Sequence, residues 1–423
     1  MNTYPLQLDH ALLAMAERTE AKHNPMRDQL AATTMANHLK ILQAFQAERI
    51  HDFHFTATTG YGLGDEGRDA LDRVFARVFK CEAALVRSQI VSGTHAIALC
   101  MFGILRPGDE LLAVTGTPYD TLEELIGLRG NASGSLRELG VTYRQVDLGE
   151  DGRPNLAAIA QAITSATKMV TIQRSRGYAW RQSLDIASIQ AIVAAVKQVN
   201  PEVICFVDNC YGELVEQQEP TEVGADLVAG SLIKNLGGGL APTGGYVAGR
   251  RELVSMAANR LTAPGIGAAV GASLGLNRII LQGLYLAPAV VREALNGAVF
   301  TAGLFAELGF AVSPNYDEYR TDLIQAIKLS SPAALIAFCQ GLQKASPIDS
   351  HVLPEPSGMP GYGDQVIMAG GTFIQGATSE LSADGPLREP YAVYMQGGLS
   401  YQYIKIGALF AAQNLINSNL LTV

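Results

Sequence analysis

The run Val203-Ile-Cys-Phe-Val-Asp-Asn-Cys-Tyr-Gly-Glu213, followed by Gly224-Ala-Asp-Leu-Val-Ala-Gly-Ser-Leu-Ile-Lys-Asn235 and the glycines 237–239, decides the fold class. Residues 203–207 are apolar without interruption and end in Asp208. An unbroken apolar run marks a strand covered on both faces, as in a parallel sheet flanked by helices. A second short run, 227–229, stops just before Ser231 and Lys234. Ligands of open parallel sheets bind beyond the carboxyl ends of the strands, so Asp208, Ser231 and Lys234 are expected to face a common site.

The same texture extends outward. Strands are expected at 83–87, 111–114, 141–146, 169–173, 203–207, 227–229 and 246–248, with helical patterns at 68–79, 94–105, 122–128, 156–163 and 186–199. Strands alternating with helices imply an α/β domain with a large, seven-stranded, mostly parallel sheet. Residues 1–50 form an N-terminal helical segment, 51–290 the large domain, and 291–423 a smaller α+β C-terminal domain, with strands at 311–313 and 323–328. The apolar stretch 268–291 is interrupted by Asn277, Arg278 and Gln282, so it is expected to be a buried helical hairpin and not a membrane span.

Composition narrows the function classes. The 423 residues are 48% hydrophobic and 17% charged, with a net charge of -9. That suits a compact enzyme, and with no basic stripe nothing favours nucleic acid. The five cysteines (81, 100, 205, 210 and 339) contain no CxxC pair, which argues against a zinc ribbon or disulfide framework and for a reducing cytoplasm. His51, His54 and His95 have no carboxylate or thiol partner at ligand spacing, so no metal site is expected. The glycines 60, 62 and 64 follow no buried strand, and the glycine run 237–245 lacks a GK[ST] ending, which excludes a dinucleotide turn and a P-loop.

What remains is the chemistry of Asp208, Ser231 and Lys234. Taken alone, Lys234 would be a solvated loop lysine and Asp208 a helix cap. Together they meet the needs of pyridoxal 5'-phosphate (PLP). Its aldehyde requires an amine, for which Lys234 would serve as the Schiff-base lysine, and desolvation is expected to lower the pKa of that amine. Its pyridine nitrogen requires a carboxylate, for which Asp208 is placed. Its phosphate requires hydroxyls and backbone N–H groups. Ser231 offers one hydroxyl, and Ser92-Gly93-Thr94-His95 opens an apolar helix whose N-terminus is suited to an anion. An amino-acid substrate would need a cation for its carboxylate. Arg388 beside a proline-fixed turn is the first candidate, then Arg320, with Arg174 and Arg176 after a strand end.

The Asp208-Asn-Cys-Tyr segment, with Gly224-Ala-Asp-Leu-Val and Ser231-x-x-Lys234, resembles the cystathionine/methionine lyase group of PLP enzymes. More closely, Thr59-Gly-Tyr-Gly, Gly67-Arg-Asp, Ser92-Gly-Thr-His-Ala, Gly116-Thr-Pro-Tyr-Asp-Thr-Leu-Glu-Glu, Gln173-Arg-Ser-Arg-Gly-Tyr and Gln396-Gly-Gly-Leu are similar to the methionine gamma-lyase or aluminium-resistance family. Each block is weak alone, but their order across residues 55–405 is specific. The resemblance implies fold type I, Lys234 as cofactor attachment and proton carrier, and Asp208 on the ring nitrogen. It implies Tyr119 as the aromatic stacked on the cofactor and Gly93, Thr94 and Ser231 at the phosphate; Ser175, between Arg174 and Arg176 after the strand end, is expected near the ring oxygen. The resemblance also implies Tyr61 reaching a neighbouring subunit, hence a dimer or tetramer with shared sites. Two positions depart from the lyase pattern: Ile233 replaces a phosphate-binding threonine, and Leu63 replaces an arginine. The implied reaction is carbon–sulfur elimination from a sulfur amino acid. The alternatives are other PLP chemistry (aminotransferase, aldolase, decarboxylase) and a low-turnover PLP-binding protein in metal stress tolerance.

Overall fold

The protein was analysed as a computed structural model that describes residues 8–22, 24–130 and 133–423. Helices α1 (His10–Ala21), α2 (Asn24–Ala47) and α3 (Glu66–Val78) precede a run of alternating elements. These are β1 (Ala83–Arg87), α4 (Gly93–Ile104), β2 (Glu110–Ala113), α5 (Asp120–Ile126), β3 (Thr142–Gln145), α6 (Leu156–Ala162), β4 (Thr167–Gln173), α7 (Ile186–Val199), β5 (Ile204–Asp208), β6 (Leu227–Ser231) and β7 (Gly245–Gly249). Next come α8 (Arg251–Leu261), α9 (Asn277–Glu307), β8 (Ala311–Ser313), β9 (Gln325–Lys328), α10 (Pro332–Lys344), β10 (Val366–Ala369), β11 (Ser382–Pro386), β12 (Ala392–Gln396) and α11 (Tyr401–Asn417).

The first seven strands form one sheet in the order β1-β7-β6-β5-β4-β2-β3, parallel throughout except for β7, which runs antiparallel to both neighbours. β5 is buried along its whole length because helices cover both faces. One of these helices, α7, shows how the pattern works. Ile186, Ile189, Val193 and Val196 fall three or four residues apart on its buried face, and the Asp185 carboxylate caps its start by accepting from Ser188 N–H. The remaining strands form an antiparallel sheet in the order β10-β11-β12-β9-β8. The architecture is therefore the expected α/β arrangement with a smaller α+β unit.

Helix α9 departs from the expected boundaries. It runs unbroken past residues 290 and 291, where the change of texture had suggested a domain border. Its first half (Ile280, Leu281, Leu284, Val291) packs in the core of the large sheet, and its second half (Phe300, Leu304, Phe305) packs in the core of the small one. The N-terminal helices divide the same way, with Leu30 and Ile41 of α2 in the first core and Leu12 and Ala16 of α1 in the second. The expected hairpin at 268–291 is also absent. Gly271 and Gly275 take positive φ (118° and 78°), which breaks the helix, so an irregular segment leads into α9. By length and composition α9 could cross a bilayer, but 72% of its apolar window is buried in this fold.

Candidate active site

β5 and β6 lie side by side, and the register places Asp208 opposite Ala229. Their carboxyl ends open into a cavity of about 670 Å³, lined by Ser92, Gly93, Thr94, Tyr119, Asp208, Ser231 and Lys234 from the large domain. The small domain closes it with Tyr362, Thr378, Asp384 and Gln396. Its volume falls within the usual range of small-molecule sites.

Each residue is held by local structure. Asp208 ends β5, and its Oδ1 accepts from Cys210 N–H at 3.2 Å. The turn that follows is braced from beneath. Arg174, fully buried, donates to Asn209 Oδ1 at 2.8 Å and to Glu216 Oε2 at 2.7 Å, and Asn209 in turn donates to Glu219 at 2.9 Å. Ser231 ends β6, and Lys234 follows in a tight turn. That turn docks against α9, where glycine meets glycine: a side chain on Gly238 would stand 2.2 Å from the Gly283 carbonyl. The Ser379 hydroxyl adds a hydrogen bond of 2.6 Å to the Lys234 carbonyl. The Lys234 ammonium sits 3.8 Å above the centre of the Tyr211 ring.

The phosphate-sized end of the cavity is the start of α4. Ser92 caps the helix through its hydroxyl, which accepts from His95 N–H at 3.0 Å. The first N–H groups of a helix have no partner within it. A Cβ on Gly93 would meet Cys210 Sγ at 3.1 Å and Ser231 Cβ at 3.5 Å, so the missing side chain leaves a cradle beside Ser231. An amine, a carboxylate, hydroxyls and a glycine-lined helix N-terminus thus converge, and these residues fit the three functional ends of PLP.

Burial acts to lower the Lys234 pKa, but Cys210, Tyr211, Asp208 and Glu213 outweigh it and the net shift is upward. This corrects the expectation of a lowered pKa, because the sequence showed the apolar turn and not the acids gathered around it. Burial raises Asp208, with Lys234 and Cys210 pulling the other way. Glu213, fully buried, is pushed up to about 8 even though it accepts from Tyr246 Oη at 2.8 Å.

Tyr119 stands at the start of α5, and its hydroxyl lies 2.6 Å from that of Tyr362. Tyr178 packs between them and Tyr394. The structure places the other sequence candidates elsewhere. Arg174 is part of the brace beneath Asp208. The Ser175 hydroxyl donates to Asp322 at 2.7 Å and not into the cavity. Arg320 is buried, donating to Gln325 Oε1 at 2.7 Å, and Arg176 donates to Ser313 at 3.0 Å. Arg388, 41% exposed, pairs with Asp120 at 3.0 Å and Asp364 at 2.9 Å on the outside of the wall. Tyr61 is 78% exposed and does not line the cavity of its own chain.

The sequence reading missed Tyr178, Tyr211, Glu213, Tyr362, Thr378, Asp384 and Gln396. Tyr211 and Glu213 lay in the decisive run itself. Asp384 carried a faint signal, an acid between Ala383 and Gly385 in a strand, whereas Tyr362 sits in a glycine-rich stretch with no periodicity.

Comparison with known proteins agrees with this geometry. The protein named uncharacterized protein YnbB of Bacillus subtilis is 51% identical over 407 residues, covering 96% of this chain and 97% of its own. A solved structure named carbon-sulfur lyase involved in aluminum resistance, from Clostridium novyi NT, is 50% identical, with 96% of each chain covered and a TM-score of 0.93. The pyridoxal-5'-phosphate dependent protein YhfS of Escherichia coli, at 17% identity and a TM-score of 0.58, covers 99% of this chain and 100% of its own and shares the fold-type-I architecture alone. The methionine gamma-lyase family matches residues 12–416. With that match lying over the cavity, its braced turn and the sheet that carries both, the chain belongs to the methionine gamma-lyase family.

Proposed function

We propose that this protein is a PLP-dependent carbon–sulfur lyase acting on a sulfur-containing amino acid. The observation that carries the reading is the convergence of Lys234, Asp208, Ser231, the α4 N-terminus and Tyr119 on one cavity. Family membership and the name of the Clostridium novyi structure support the same reaction class. When bound, PLP would withdraw electrons from the α-carbon of an attached amino acid, loosening its proton and then its sulfur substituent.

The chain's own residues would do the following. Lys234 Nζ supplies the amine that holds the cofactor and, once displaced by the substrate amine, takes the α-proton. Asp208 would keep the ring nitrogen protonated through a charge-assisted hydrogen bond. The N–H groups of Gly93 and Thr94 and the hydroxyls of Ser92 and Ser231 bind the phosphate. Tyr119 covers the ring. Burial first, then nearby Tyr211 and Tyr362, raise its pKa well above the ordinary tyrosine value, so its hydroxyl stays protonated and can donate to the departing sulfur. Tyr61 on its exposed loop is available to a second copy of the chain, and a dimer sharing sites is part of the proposal.

The test is release of thiol, ammonia and keto acid from cysteine, cystathionine and methionine by the PLP-loaded protein, and its loss in Lys234→Ala. Release of all three products from at least one substrate is expected. Amino transfer or α-proton exchange without any thiol would replace the lyase reading with other chemistry at the same cofactor.

A further inference from the structure

Tyr119 has one hydroxyl hydrogen, and the proposed reaction sends it to sulfur. Its partner in the fold decides whether that hydrogen is free. The Tyr119 and Tyr362 oxygens stand 2.6 Å apart, and either can be the donor. Donation from Tyr119 to Tyr362 leaves nothing for the ligand, whereas the reverse leaves the Tyr119 hydrogen available. Both side chains line the cavity, their rings meeting edge to face at 89° with centroids 6.0 Å apart. Burial raises the pKa of each, so both hydroxyls hold their hydrogens near neutrality.

The contact is clamped from two sides. Tyr119 stands at the start of α5, and Tyr362 lies in the irregular stretch between α10 and β10. Two arginines join these segments. Arg129 donates to the carbonyls of Asp120, at 3.2 Å, and Gly361, at 2.8 Å. Arg388 donates to the carboxylates of Asp120, at 3.0 Å, and Asp364, at 2.9 Å. Each thus ties the residue after Tyr119 to a near neighbour of Tyr362. Gly361 lets the two segments close up: its φ is 85°, and a Cβ there would stand 3.2 Å from Thr121 Cγ2. The loop after β4 fixes the Tyr119 ring itself, since a Cβ on Gly177 would stand 2.9 Å from Tyr119 Cδ2.

We infer that Tyr362 is a positioning residue: it donates its hydroxyl hydrogen to Tyr119, which turns the Tyr119 hydrogen to the departing sulfur and stabilises the oxygen that loses it. This deepens the proposed function and rests on its lyase reading. As the carbon–sulfur bond breaks, its electron pair goes to sulfur and the Tyr119 proton joins it, giving a neutral thiol. The Tyr119 oxygen, now negative, is held by the Tyr362 hydrogen bond, whose 2.6 Å length suits an O–H···O⁻ pair. It regains a proton from water once the thiol has left.

S-ethylcysteine and 3-chloroalanine, compared on the PLP-loaded protein, isolate this step. Both yield the same keto acid and ammonia, but an alkyl thiolate is too basic to leave without a proton and chloride needs none. Tyr362→Phe removes only the oxygen. It is expected to lower kcat for S-ethylcysteine about 10- to 100-fold, the worth of one hydrogen bond to a charged group, and for 3-chloroalanine less than about threefold. Equal falls with the two substrates, or no fall with either, overturn the inference. The pairing itself is read without PLP, from urea midpoints of the cofactor-free proteins. Tyr119→Phe and Tyr362→Phe should each lower the midpoint and the double variant no further, because the second change removes a hydroxyl already without its partner. Additive losses mean that the two hydroxyls are not paired and also overturn it. If the PLP-loaded wild type releases thiol from no sulfur amino acid, the lyase reading falls and the leaving-group role with it. Thiol release with equal falls removes the Tyr362 assignment alone.

Discussion

The two walls of the cavity are built differently. The large-domain wall is made of strand ends and a helix start: Asp208 closes β5, Ser231 closes β6, and Ser92 to Thr94 open α4. Its side chains are held from beneath by a buried ion network and by glycine contacts tighter than any side chain allows. The small-domain wall is assembled from β10, β11, β12 and the irregular stretches on either side of β10, and it meets α5 through hydroxyls and half-exposed ion pairs such as Arg388 to Asp120. The first wall offers groups for one fixed molecule, the cofactor. The second offers tyrosines, amides and one acid, which suits ligands that differ. Attachment chemistry belongs to the rigid side and selectivity to the adaptable one.

That division can be broken by experiment. The largest effect is expected on the rigid side. Asp208→Asn should lower kcat/KM on the order of 10²–10³-fold, as loss of a preorganised charge at the reacting system does, while retaining the fold. A loss below tenfold in steady-state assays would remove Asp208 from the ring nitrogen.

Asp384→Asn probes the other wall through stability. The Asp384 pKa in the fold, about 6, exceeds its ordinary value of 3.8, so folding takes up a proton there. Wild-type stability from this group is therefore full below pH 4 and is lost as pH rises to about 6. The variant should be more stable than wild type at pH 7, by at most about 3 kcal/mol, and nearly equal to it at pH 4. Urea midpoints of the cofactor-free proteins at the two pH values check both sign and window, and a variant destabilised at pH 7 would contradict the burial argument.

Gly93→Ala tests the cradle. A methyl group 3.1 Å from Cys210 Sγ requires that side chain to give way by a few tenths of an ångström and fills the cradle, an overpacking cost of roughly 1–3 kcal/mol. PLP should dissociate about tenfold more readily, measured by fluorescence of the released cofactor. Unchanged retention would mean that the phosphate lies elsewhere. The smallest effect is expected for Arg388→Ala. A half-exposed ion pair contributes under about 1 kcal/mol, so KM should change by less than about threefold. A tenfold rise would restore Arg388 as the carboxylate ligand.

Much of the rigid side could be read from the chain because its signals are local. The apolar run before Asp208, the Ser231-to-Lys234 spacing and the capped start of α4 each fit within a dozen residues, and strand alternation follows from side-chain periodicity. The domain border resisted because one helix serves two cores: α9 is apolar on both sides of residue 290, and nothing in its sequence says where its partner changes. The arginines resisted for a related reason. Arg174, Arg176, Arg320 and Arg388 all looked available, but each had an acid, amide or carbonyl waiting in another element.

The sequence by itself determined the alternation of strands and helices, the acid and the lysine at neighbouring strand ends, and the family to which they point. Only the tertiary structure decided which cations are consumed internally, that the groups around Lys234 raise its pKa, and that Asp384 faces the cavity. The physical reason is range. Backbone periodicity and turn chemistry act over a few residues, whereas charge pairing and desolvation depend on what other elements bring alongside, 42 positions away for Arg174 and Glu216 and 268 for Arg388 and Asp120.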